Sequence, residues 1–250
     1  MVVVTVLLTG ILIIVGGAFA IVGRLLRSRE RAILEDLEEH LTRQGIDASL
    51  LPEDSPEGLH QDDSLLQKIA RFFLIGDIGY IRVRGMNYDL ATVRIASYSM
   101  SESSSGSFFS SQSRTEKTVV RYHHIVRTAV SDGQAVEARL NKETKGLFSR
   151  RIVDVAWHGG RLAALLNSQA ELNAAIIRLL TPKDGLKVAY DRKNNVVRII
   201  LTMHHGMRRI EFLGFSWSKS DEKLPLEGTL DIINRIAGFV RSDELNTDYP

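Results

Sequence analysis

Apolar and polar positions follow three different rhythms along this chain. From Val2 to Val22 no side chain is charged, and Val, Leu and Ile dominate. A helix of about 21 residues at ~1.5 Å per residue reaches roughly 30 Å, the thickness of a bilayer's hydrocarbon core. From Ser28 to Gln44 apolar residues recur at helical spacing, at Ile33, Leu34, Leu37 and Leu41, with charged residues between them. Gly45 is placed to end that helix. Leu50 to Asp63 contains Pro52, Pro56, Gly58 and a run of acids, and reads as a linker. Ser64 opens a short helix whose apolar side is Leu65, Leu66, Ile69, Phe72 and Phe73.

From Tyr80 the period changes to two. Ile81 and Val83 alternate with charged residues, and Gly85-Met86-Asn87 turns the chain toward a strand over Asp89 to Ser99. Thr118 to Val130 predicts a longer strand, with Val120, Tyr122, His124, Val126 and Val130 on one face and Arg121, His123 and Arg127 on the other. Ser131-Asp132-Gly133 is a turn signal, followed by strands over Ala135 to Leu140 and Ile152 to Trp157. Arg161 to Leu180 is helical in pattern and breaks at Ser168-Gln169-Ala170-Glu171, which has the form of a capping box. Leu186 to Tyr190 and Val196 to Thr202 form a hairpin, Arg209 to Trp217 a further strand, and Thr229 to Val240 a final helix.

The fold class expected is α+β: an N-terminal transmembrane helix, then antiparallel strands with helices packed on one face. The expected division is an anchor over 1–27, a juxtamembrane helix and acidic linker over 28–63, a β-rich block with a Ser-rich loop over 64–158, a helix-hairpin-helix block over 159–241 and a polar tail over 242–250.

Charge fixes the orientation expected of the anchor. No Lys or Arg precedes the apolar run, while Arg24, Arg27, Arg29 and Arg31 follow it. Basic residues concentrate on the cytoplasmic side, so the N-terminus faces out and the folded domain lies in the cytoplasm. Ala18-Phe19-Ala20 has the small-x-small form of a signal-cleavage site, which leaves an exported domain as the alternative. The missing basic residues ahead of the run and the arginines behind it favour retention. Gly16 and Ala20 are spaced as in membrane helices that self-associate, although small residues are common in such helices without pairing.

Composition narrows the chemistry. The chain has no cysteine, which removes disulfides, thiolate nucleophiles and zinc-cysteine or iron-sulfur sites. A net charge of +2 gives no overall attraction to nucleic acid. Phosphate-binding glycine loops, H-E-x-x-H and G-x-S-x-G are all absent from the sequence. His123-His124 and His204-His205 are two adjacent pairs at strand positions. Neighbours on a strand point to opposite faces, so neither pair chelates one metal, and no third ligand is indicated. No catalytic residue, cofactor or metal is expected.

Two surface segments remain. Ser97 to Ser113 is dominated by serine around Phe108 and Phe109, and its composition suggests a long mobile hairpin tip. Lys142 to Arg151 sets Lys142, Lys145, Arg150 and Arg151 around Phe148. Basic residues beside an aromatic suit an anionic lipid surface, and the same run also suits a plain solvated loop. The reading that follows is a single-pass, membrane-anchored, non-enzymatic domain, with the lipid bilayer and a protein as partners. The alternative is a tethered hydrolase-like enzyme with an unrecognised site.

Overall fold

The computed structural model describes residues 28, 30–52, 55, 59, 79–103, 112–128, 130, 132–146, 150–212, 215–220 and 228–242. For 97–103, 112–117, 205–212 and 215–220 it describes the backbone alone. Among the described residues no helix is long and apolar enough to cross a membrane. The apolar run Val2 to Val22, the arginines Arg24, Arg27 and Arg29, and the helix expected from Ser64 lie outside them.

The chain forms two compact units, 1–82 and 83–250. In the first, helix α1 (30–43) buries Leu34, Leu37 and Leu41 on one stripe. Its exposed side carries Arg31–Glu35 at 3.1 Å and Arg43–Glu39 at 2.7 Å, both one helical turn apart. The helix ends where the sequence indicates: Gly45 takes φ +77, Gly45 N–H donates to Thr42 O, and Ile46 N–H donates to Leu41 O. That is the Schellman arrangement, which needs a left-handed residue and so favours glycine. Strand β1 (Asp47–Leu50) follows, and its neighbour is β2 (Ile81–Arg84). Leu51 N–H donates to Tyr80 O at 2.8 Å.

The second unit is built on one antiparallel sheet. Its strands are β3 (Leu90–Ser103), β4 (Gln112–Val126), β5 (Ala138–Lys145), β6 (Arg151–Gly159), β7 (Gly185–Asp191), β8 (Val196–Phe212) and β9 (Phe215–Ser220). Neighbours run β3-β4-β8-β7-β5-β6, with β9 added to β8. Helices α2 (Arg161–Asn167) and α3 (Ala170–Leu179) pack against β6, while α4 (Thr229–Arg241) packs against β4, β8 and α3. The fold class is α+β.

Alternation explains the core. Val120, Tyr122, His124 and Val126 of β4 stand in register with Met203, Leu201, Ile199 and Val197 of β8, and all eight are buried. Paired residues of an antiparallel ladder share a face, so these make one continuous apolar surface. The intervening positions Thr92, His123, Ile125 and Ile200 are buried as well, so the centre of the sheet is covered on both faces. From α4, Asn234 reaches the β2–β3 turn: its Oδ1 accepts from Asn87 N–H at 2.6 Å and its carbonyl from Asn87 Nδ2 at 3.0 Å. Arg241 pairs with Asp89 at 2.7 Å.

Several boundaries depart from the sequence pattern. The serine segment is not one long loop: β3 continues through Ser103 and β4 begins at Gln112. Pairing of β3 with β4, and of β4 with β8, supplies the backbone hydrogen bonds there, so the strands extend where side-chain alternation gives no signal. Arg209 to Trp217 is not one strand: β8 ends at Phe212 and β9 begins at Phe215. The sheet does not divide at Gly159-Gly160, because β4 from one side of it and β8 from the other are neighbours. Those glycines have another role. A Cβ on Gly160 would lie 2.0 Å from Gln134 O and one on Gly159 2.2 Å from Glu137 O, so the chain crosses at a distance no side chain permits.

The helical break at Ser168 is present, but not through the capping box. Ser168 ends α2, and its hydroxyl donates back to Leu165 O at 2.7 Å. The first turn of α3 receives no side-chain cap.

Candidate functional site

Polar side chains gather at three places in the second unit. The first is in the core of the sheet. His124 is fully buried, and its ring meets the ring of Tyr88 edge-on at 4.8 Å. Neither His124 nitrogen, nor the Tyr88 hydroxyl, has a hydrogen-bond partner. Burial, and then the charge of neighbouring His123, lower the His124 pKa to about 3. Burial also raises the Tyr88 hydroxyl above its ordinary range. The pair is therefore a neutral ring and a neutral phenol at any physiological pH. A general base must be able to take a proton near its working pH, and His124 cannot.

The two histidine pairs do not meet. His124 stands opposite Ile199 and His123 opposite Ile200, whereas His204 stands opposite Val119. Five register positions at about 3.4 Å each separate His124 from the level of His204. Among the described residues no group of three His, Asp or Glu is placed to hold a metal.

The second cluster surrounds Lys142 on β5. Its ammonium donates to Thr181 O at 3.1 Å, to Pro182 O at 2.9 Å and to Asp184 O. An ammonium has three N–H donors, and three carbonyls take them. The turn is held from its other side by the buried Asp184 carboxylate, which accepts from Thr181 N–H at 2.8 Å and His204 N–H at 3.2 Å. Burial lowers the Lys142 pKa, and the Asp184 charge opposes that shift. This is a clasp that ties β5 and β8 to the turn leading into β7. Its lysine has no donor left for a ligand, so Lys142 does not belong to an open surface cluster.

The third cluster lies on β6. Trp157 N–H donates to Asn167 Oδ1 at 2.8 Å, and Asn167 Nδ2 returns a bond to Trp157 O at 2.9 Å. The indole N–H donates to Asn173 Oδ1 at 3.0 Å. One β-strand neighbour is replaced at this point by a single asparagine from α2.

The remaining surface residues singled out by sequence are distributed as follows. Lys145, Arg150 and Arg151 are exposed at the β5–β6 connection, and Arg31 is exposed on α1. Phe108, Phe109 and Phe148 lie outside the described residues. Sequence reasoning missed the Lys142 clasp and the asparagine bridge. The first was signalled only by Pro182-Lys183-Asp184-Gly185, a turn whose carbonyls need partners. The second had no signal, since an asparagine in a helical stripe looks like any other polar position. No protein-family model, no curated protein and no solved structure matches this chain.

Proposed function

We propose that this protein is a single-pass, membrane-anchored domain without enzymatic activity, held in the cytoplasm by its N-terminal segment and acting as a protein-binding or membrane-surface module. The observation that carries the reading is the uncharged run Val2 to Val22 followed at once by Arg24, Arg27, Arg29 and Arg31. Two features support the absence of catalysis. The buried histidine is held neutral, and the lysine of lowered pKa has all three donors engaged by backbone. Polar groups of this kind hold a fold together, and neither of these two is in position to transfer a proton. A tether suits a binding module because it raises its effective concentration at the bilayer.

The absence of native cysteine makes topology directly testable. Ala164→Cys on α2 and Ala174→Cys on α3 place single thiols at exposed positions. In intact cells both should resist a membrane-impermeant maleimide, and both should react after lysis. Labelling in intact cells, or a mature N-terminus at Ile21, would move the domain outside the membrane.

A further inference from the structure

Strand order places three hairpin ends at one end of the sheet. Ser103 pairs with Ser113, so the end of β3 lies beside the start of β4. Gln112 pairs with Glu211, which brings the end of β8 to the same level, and Phe212 pairs with Phe215 where β8 turns into β9. The β5–β6 connection follows by direction. β8 is antiparallel to β7, and β7 to β5, so β5 runs the same way as β8 and Lys145 points to that end. The Lys142 clasp on 181–184, beside His204, gives the same placement independently.

This end has a distinct composition. Ile210 and Phe212 occupy alternate positions of β8, in register with Trp217 and Phe215 of β9. Arg208 is in register with Lys219 just behind them, and Arg209 lies between. On the second hairpin Lys145, Arg150 and Arg151 are exposed. Next to them is Val153, at 38% the one large apolar side chain exposed among the described residues. Glu102, Glu116, Glu143, Asp154 and Glu211 are interleaved, and the basic positions, which also include Arg114 and Lys117, outnumber them.

We infer that this end of the sheet docks on an anionic lipid bilayer, with the aromatic positions of the β8–β9 hairpin at the headgroup level and the basic positions around them on lipid phosphates. The inference rests on the anchored reading, since a tether supplies the bilayer as the nearest surface. Tryptophan and phenylalanine suit the membrane–water boundary, and Lys and Arg are drawn to the negative surface within a Debye length. Such a surface needs no shaped pocket, only charge and aromatic area on one side of the domain.

Tryptophan emission offers a test on the full chain. The chain has two tryptophans: Trp157, 3% exposed and bonded to Asn173, and Trp217 at the docking end. The anchor contains none. The protein is reconstituted into phosphatidylcholine vesicles with and without phosphatidylglycerol, with bromine-labelled acyl chains as quencher. Part of the emission should be quenched when phosphatidylglycerol is present, and Trp217→Phe should remove that part. The pair Arg150→Glu and Arg151→Glu, at exposed positions away from the hydrogen-bonded core, should lower docking by roughly fivefold or more per charge. Quenching that is absent, indifferent to phosphatidylglycerol, or unchanged in both variants would overturn the inference, as for a surface that binds protein instead. Alkaline carbonate extraction of the same vesicles reports on the anchor. Retention without quenching sinks the docking end alone, whereas release by carbonate sinks the anchor.

Discussion

Charging the His124 ring inside the core would strip an imidazolium of its water and set it against His123, so the ring stays neutral down to about pH 3. In the unfolded chain the same ring takes a proton near its ordinary value of 6.5. Between these values the unfolded state binds more protons than the folded one. The stability that neutral His124 contributes is therefore whole above about pH 6.5 and declines as pH falls toward 3. The denaturant midpoint should drop between pH 7 and pH 5, and His124→Leu should flatten that limb. A leucine variant that keeps the full acid slope would assign it to other groups. The substitution also tests whether the unpartnered polar atoms of His124 and Tyr88 burden the core, because an apolar side chain of similar bulk removes two of the three.

Among the elements, β6 stands at the margin of the sheet, with no strand beyond it among the described residues. Open margins recruit other chains, and here two local devices occupy the outward backbone. Asn167 takes both polar groups of Trp157, and the Asp154 carboxylate accepts from Val155 N–H at 2.8 Å. Asn167→Ala removes the first. It should cost about 1–2 kcal/mol, two hydrogen bonds' worth, and raise the tendency to aggregate. Thermal midpoint and light scattering on the same sample separate the two effects. If the variant melts as the parent does and stays monodisperse, the bridge has no stabilising role.

The same elements show what was legible in the chain. Period-3.6 stretches over α1 and α4 were readable because each buries one face, and β3, β4 and β8 were readable as short apolar, β-branched runs, because burial at the centre of the sheet selects such residues on both faces. Strand ends at 97–103 and 112–117 were unreadable for the opposite reason: they are set by backbone pairing of β3 with β4 and of β4 with β8, which serine tolerates without advertising. Strand order was not readable either, since nothing local records that β4 and β8 will meet. The chemistry followed suit. His124 was visible as an inward position of β4, but the Lys142 clasp depended on a turn distant in sequence, and sequence had grouped that lysine with its exposed neighbours.

At the scale of the second unit, β8 is the organising strand. Its first half lies between β4 and β7 and its last part between β4 and β9. Amides from Val197 to Met203, in a stretch buried at nearly every position, should exchange with deuterium only through global unfolding. Those from Met207 to Phe212 should exchange faster. Equal rates along the strand would mean that the whole unit opens at once. The position of β8 in the chain has a further consequence, for the order of events during synthesis. β4 is complete at Val126, and its partner does not begin until Val196. At about 5–20 residues per second a ribosome needs roughly 4–14 s to cover that interval. Throughout it the longest apolar margin of the nascent chain stands open, with the proposed anchor already delivered to the bilayer. On the proposed anchored reading, the newborn domain then passes through a period in which its neighbours are other unfinished copies on the same membrane, with β4 still unpaired along the margin that β8 will take.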